Sequence, residues 1–195
     1  MFLDKYVCGE KDDLSVQEIV HCKTQDEFGG RLHRFINIFQ NFGMSVDQSR
    51  YITTILGELG NNVFDHNWGN WSSDFTGCII LAQRYGGLHQ KIQIIVADFG
   101  SGFLTSLHPA YPELNDDLSA IEKGLSGFTG RIGEQRGNGL KMIQNWTIDK
   151  FCGKLSIHSG EGLINVDASG IHKKNISKKI RGTIAQIILE NNIGL

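Results

Sequence analysis

Apolar residues recur along this chain with two periods, and the changes of period divide it into elements. VQEIVHCKT (16–24) alternates apolar and polar positions, as a half-buried strand does. From Asp26 to Phe42 the period lengthens. Phe28, Leu32, Phe35, Ile36 and Phe39 fall at helical spacing, and Gly43 closes the segment. Ser45 stands at the N-cap of a second helix that runs to about Asn67. GCIILAQRY (77–85) and KIQIIVAD (91–98) read as strands joined through a Gly-Gly turn into a hairpin. The stretch 99–137 is rich in Gly, Ser and polar residues, holds both prolines, and shows one short helical pattern around 117–124. A helix over 139–150 follows. KLSIHS (154–159), a short strand near 163–166 and GTIAQIILE (182–190) complete the pattern.

Helices first, then strands enclosing one long loop and one helix, predict an α+β fold. The expected form is a two-layer α/β sandwich whose mixed, mostly antiparallel sheet is covered on one face by helices. With 195 residues, no internal repeat and no linker-like tract, a single domain over 1–195 is expected.

Composition narrows the function. A net charge of −2 and a pI near 6.4 supply no general attraction to nucleic acid or to an anionic membrane. Cys8, Cys22, Cys78 and Cys152 form no CxxC pair, so their spacing predicts neither a zinc site nor a disulfide framework. MFLDKYVCGEKDD lacks an apolar signal core, and no apolar run reaches bilayer length, so a cytoplasmic protein is expected. The chain carries 24 glycines, well above the usual ~7 %, outside any linker. They must serve turns or a close approach of the backbone to something.

GELGNNVFDHN (57–67) packs poor helix formers into a helical segment. On a helical wheel Ile52, Leu56, Leu59 and Val63 form the buried stripe, and Thr54, Asn61 and Asp65 face water. Glu58, Asn62 and His66 fall in a row along the stripe's edge. An Asn oxygen can ligate Mg²⁺ without adding negative charge. A Glu one turn earlier can orient or deprotonate a nucleophile near that ion. Taken alone, the segment is equally readable as a solvated polar edge.

Three further stretches add chemistry. KIQIIVAD runs into DFGSG, which puts Asp98 at a strand end with Gly100 and Gly102 beyond it. A buried carboxylate there would accept a hydrogen bond from adenine's amino group, where guanine offers a carbonyl oxygen. In QRGNGLKMI (135–143), Gly137 and Gly139 precede a helix whose first N–H groups suit a phosphate, with Arg131, Arg136 and Lys141 near in sequence. In RGTIAQIIL, Gly182-Thr183 opens the last strand. Each stretch has an ordinary reading by itself, as an Asp-Gly turn or a helix that starts after glycine.

Together and in this order, the four stretches resemble the ATP-binding domain of histidine kinases, the DNA gyrase ATPase subunit, heat-shock chaperones and MutL mismatch-repair proteins. This is the GHKL superfamily, with the Bergerat fold. GELGNNVFDH resembles its N box, and DFGSG, RGNGL and RGT its three glycine boxes, over about residues 26–190. The resemblance implies ATP and Mg²⁺ as cofactors, with Asn62 holding the ion and Glu58 as general base. Asp98 would take the adenine amino group, with Gly100 in the same box and Gly102 beside the base. Thr183 would bond Asp98 or a water on the adenine. Gly137, Gly139 and Leu140 would form the hinge and the start of the phosphate-contacting helix, with Arg136 as countercharge to the phosphates, and 103–136 would be the ATP lid.

The chain departs from the pattern in places. Lys141-Met142 stands where many members carry Gly-Leu, and His33 in LHRF matches no phosphoacceptor motif and reads as a helix-surface or partly buried histidine. No transducer domain of the gyrase or MutL type is expected. The chain looks most similar to stand-alone bacterial anti-sigma-factor serine kinases. The function this implies is a regulatory Ser/Thr protein kinase acting on a protein partner, with no nucleic-acid or membrane partner, and a homodimer is compatible with it. A slow ATPase and a non-catalytic, ATP-gated binding module are the alternatives. The basic run Lys173, Lys174, Lys178, Lys179 and Arg181 reads as a solvated loop between strands.

Overall fold

The computed structural model of the chain describes residues 14–67, 70–72, 74–85, 91–130 and 138–190. Its seven strands are β1 (Leu14–Cys22), β2 (Cys78–Tyr85), β3 (Lys91–Asp98), β4 (Lys154–Ser159), β5 (Gly162–Asp167), β6 (Gly170–Asn175) and β7 (Thr183–Glu190). They form one sheet in the order β1-β2-β3-β7-β4-β5-β6. Every neighbouring pair is antiparallel, so the sheet expected to be mixed is antiparallel throughout. The helices are α1 (Gln25–Asn41), α2 (Val46–Asn67), α3 (Gly102–Leu107), α4 (Asp117–Leu125) and α5 (Asn138–Asn145), the last continued by a π-helical turn over Trp146–Lys150.

The two long helices start on side-chain caps. Thr24 Oγ1 accepts from the Glu27 N–H at 3.2 Å, while Glu27 Oε2 accepts from the Lys23 N–H at 2.7 Å. At the start of α2, Ser45 and Gln48 bond each other reciprocally, side chain to backbone N–H, at 3.2 and 2.9 Å. Each box satisfies two backbone donors that a helix start otherwise leaves unpaired. Where α2 packs on α1, a Cβ on Gly60 would overlap the ring of Phe28. One of the poor helix formers in 57–67 therefore serves close helix packing rather than a ligand.

Alternation along the strands sorts the core. Val20, Ile80, Ile94, Val96, Ile187, Leu155 and Ile164 point to the same face and join Phe28, Phe35, Phe39, Leu56, Ile121 and Ile143 of the helices in one buried cluster. Each such side chain stabilises the fold by about 1.5–3 kcal/mol when fully buried. The opposite face carries a smaller cluster of Leu81, Ile95, Ala97, Ile180 and Ile184. The helices thus cover one face, as the α+β pattern predicts.

Two elements are absent from the sequence reading. α3, together with α4, lies inside the stretch read as a lid, and Ile121 and Leu125 anchor α4 in the main core. β6 carries Lys173 and Lys174, which the sequence assigns to a loop, and every residue of this edge strand is exposed. Lys173 Nζ donates to Glu122 Oε1 of α4 at 2.6 Å. The sheet also sets Cys22 opposite Cys78, both buried and neither in a disulfide. Among the described residues no helix is long and apolar enough to cross a membrane.

Candidate functional site

β3 and β7 are neighbours with Ala97 opposite Ile184, so Asp98 at the end of β3 meets Gly182-Thr183 at the start of β7. The second half of α2 and the first turn of α5 close over this junction. Between them lies a cavity of about 640 Å³. Glu58, Asn62, Asp98, Gly102, Gly139, Leu140 and Thr183 all line it. So do Asn61 and Asp65, which the helical wheel turned toward water, and His66. Val96, Phe103, Leu107, Met142, Ile157 and Ala185 give the walls an apolar stretch. Gly100 stands behind the wall rather than in it. Arg136 and Gly137, like Arg131, lie outside the described residues.

Asp98 is the chemical centre of one end. It is 5 % exposed, and its Oδ1 accepts from the Gly100 N–H at 2.7 Å and from Asn67 Nδ2 at 3.2 Å. Burial pushes its carboxyl up to about 6, opposed by the Gly100 N–H, the Asn67 amide and the Thr183 N–H, which favour the charged form. A Cβ on Gly100 would overlap the Asn67 amide, so the turn after β3 can hug that side chain only as glycine.

The neighbouring turns are held by Ser159. Its hydroxyl donates to Gly182 O at 3.0 Å and accepts from the Phe103 N–H at 3.0 Å and from Thr183 Oγ1 at 3.3 Å. The Thr183 hydroxyl therefore points to Ser159, and it is the backbone of Thr183 that reaches Asp98. Gly102 and Gly182 sit at φ +76° and +79°, a left-handed conformation that glycine adopts without strain.

The other end is wetter. Glu58 and Asn62 are half-buried one turn apart on α2. Glu58 Oε2 lies 2.6 Å from the place a Cβ on Gly139 would take, which sets the carboxylate against the first turn of α5. The unpaired N–H groups of such a turn attract anions. Among the described residues no group of three or more His, Cys, Asp or Glu is placed to hold a metal ion. A metal bound here would take one protein oxygen from Asn62 and the rest of its shell from ligand and water. That donor set fits Mg²⁺, which keeps several waters and seldom uses an all-protein cage.

Sequence reasoning missed Asn67 and Ser159. Asn67 had a usable signal, because 52, 56, 59, 63 and 67 continue one stripe and the last of them is an amide. Ser159 had none, since its role depends on two turns far away in the chain. No protein-family model matches the chain, and no curated protein matches it by sequence. The arrangement itself offers a buried acceptor at one end and an apolar slot in the middle. At the other end, a carboxylate sits against a helix N-terminus, and an amide one turn along α2 lines the same cavity.

Proposed function

We propose that this cavity binds ATP with Mg²⁺, that the chain is a GHKL protein with the Bergerat fold, and that it works as a stand-alone regulatory Ser/Thr protein kinase. One observation carries the reading. Glu58, Asn62, Asp98, Gly102, Gly139 and Thr183 come from four separated stretches and line a single cavity. Its volume, about 640 Å³, is within the usual range for small-ligand pockets.

In this reading Asp98 accepts the adenine amino hydrogen and the apolar walls hold the ring. Asn62 supplies one oxygen to Mg²⁺ among the phosphates, and the start of α5 meets the phosphate charge. A partner's Ser or Thr oxygen attacks the γ-phosphorus, ADP leaves, and Glu58 takes the hydroxyl proton. Positioning and charge neutralisation supply most of the rate. Incubation with labelled ATP and candidate partner proteins tests this. Label on a partner supports the kinase; free phosphate without it assigns a slow ATPase. Binding with neither product assigns an ATP-gated binding module. Calorimetry that finds no ATP binding at millimolar concentration with magnesium would remove the whole reading.

A further inference from the structure

Asn67 closes α2 and takes the stripe position after Val63, yet it is an amide and only 4 % exposed. All four of its hydrogen-bonding positions are used. Nδ2 donates to Val63 O at 2.9 Å and to Asp98 Oδ1 at 3.2 Å. Oδ1 accepts from the Ser101 N–H at 2.8 Å and from the Ser101 hydroxyl at 3.2 Å. Turning the amide over would set its NH₂ against the Ser101 N–H and its oxygen against two acceptors, so the network itself assigns the orientation. With the Gly100 N–H, Asn67 Nδ2 fills both lone-pair sites of Asp98 Oδ1. A donor on a ligand must therefore come to Oδ2.

We propose that Asn67 is a positioning residue for base recognition: its amide decides which oxygen of Asp98 meets the ligand and keeps that oxygen an acceptor, so the cavity selects a purine with an amino group at position 6. The proposal rests on the nucleotide reading of the cavity. It has a consequence that packing alone does not. Because Oδ1 receives two N–H groups, a proton taken up by Asp98 must sit on Oδ2. Protonation then turns the ligand-facing atom from acceptor to donor, which suits the carbonyl of hypoxanthine better than the amino group of adenine. The titratable groups around Asp98 are few. Cys78 on β2 lies beside it, its thiol held neutral by burial, and Glu58, Asp65 and His66 of α2 line the same cavity. β7 contributes only Thr183 and Ala185.

Calorimetry of the full chain with ATP, ITP and magnesium tripolyphosphate from pH 5 to 8 tests the proposal. The wild type should prefer ATP at pH 8 and lose that preference as pH falls through about 6. In Asn67→Asp two carboxylates face each other and must share a proton, which moves the midpoint up by about two pH units and weakens ATP about tenfold at pH 7. Asn67→Ser, which can still accept from Ser101 but no longer donates in the same way, should shift it in the same direction by less. Tripolyphosphate binding should stay unchanged in both. An unmoved midpoint and preference would overturn the proposal, and so would a parallel loss of tripolyphosphate, which marks a merely structural role. Should neither variant fold, the wild-type Asn67 side-chain NH₂ resonances decide. They must titrate with the midpoint of the ATP-to-ITP switch, and resonances that ignore pH overturn it. A wild type that binds tripolyphosphate but neither nucleotide at any pH removes the nucleotide reading, and the proposal with it.

Discussion

At the Asp98 end of the cavity, the base end on the proposed reading, Asp98, Asn67 and Ser159 are buried; Asp98 and Asn67 bond each other, and all three bond the turns around them. At the Glu58 end, the phosphate end on the proposed reading, Glu58 and Asn62 are half-buried. The difference is one of when desolvation is met. A polar group buried on folding must find its partners within the fold or cost about 1–3 kcal/mol. The base end has met that demand already, and so belongs to the fold as much as to the site. The phosphate end keeps its contact with water and can lose a side chain without leaving a buried orphan. Substitutions at the two ends should therefore separate stability from function.

The largest effect expected from such a separation is at Glu58. Glu58→Gln keeps shape and polarity and removes only the basic oxygen. Turnover should fall by about 100- to 10,000-fold, the range general-base groups supply. ATP affinity should change little, and stability should stay within about 0.5 kcal/mol, as for surface-like positions. Single-turnover phosphate transfer beside a thermal melt reads both. Undiminished turnover would deny Glu58 its role. A large drop in melting temperature would break the contrast between the ends.

What was legible in the sequence follows the same division. The row Glu58, Asn62 and His66 could be placed because a long helix with a clean apolar stripe fixes the angle of every side chain on it. Asp98 could be placed because the strand before it is nearly all apolar and ends in glycines. α3 was not legible. Six residues give less than two turns of periodicity, and its own N-cap residue, Ser101, makes no capping bond. β6 was invisible for another reason: GIHKKN is exposed on both faces, so burial imposes no alternation on it. The pairing of Cys22 with Cys78 and the links from Ser159 to the glycine turns depend on strand register between distant segments. No local pattern carries that information. Gly60 is a case where the residue was noticed and its cause lay elsewhere, in the ring of Phe28.

A middling effect should appear with pH, and it should run in opposite directions for stability and binding. The Asp98 carboxyl sits at about 6 in the fold against 3.8 ordinarily, so the native state holds its proton more tightly than the unfolded chain. Its contribution to stability is fully present below about 4 and is lost as pH rises through about 6, a change of about 3 kcal/mol at most. On the proposed reading adenine binding needs the ionised form, so ATP affinity should fall about tenfold for each unit below 6. Urea unfolding of wild type and Asp98→Asn at pH 4 to 7 isolates the first trend, and calorimetry with ATP gives the second. If affinity and the Asp98 share of stability rose together with pH, the buried carboxylate could not be the group that meets the base.

The smallest effect, at Asn62, separates the two ends most cleanly because its two parts have opposite signs. Asn is a poorer helix former than Ala, so Asn62→Ala inside the long helix α2 should raise stability by a few tenths of a kcal/mol. On the proposed reading the same change removes the amide oxygen that would reach Mg²⁺. Losing a single contact worth about 1 kcal/mol should weaken ATP about fivefold in magnesium. In a chelator, where no divalent ion bridges side chain and phosphates, wild type and variant should bind alike. Magnesium titrations of ATP affinity beside a urea melt read both. Equal weakening with and without the ion would mean that Asn62 touches the nucleotide directly. A fall in stability would mean that the phosphate end, too, is part of what holds α2 in place.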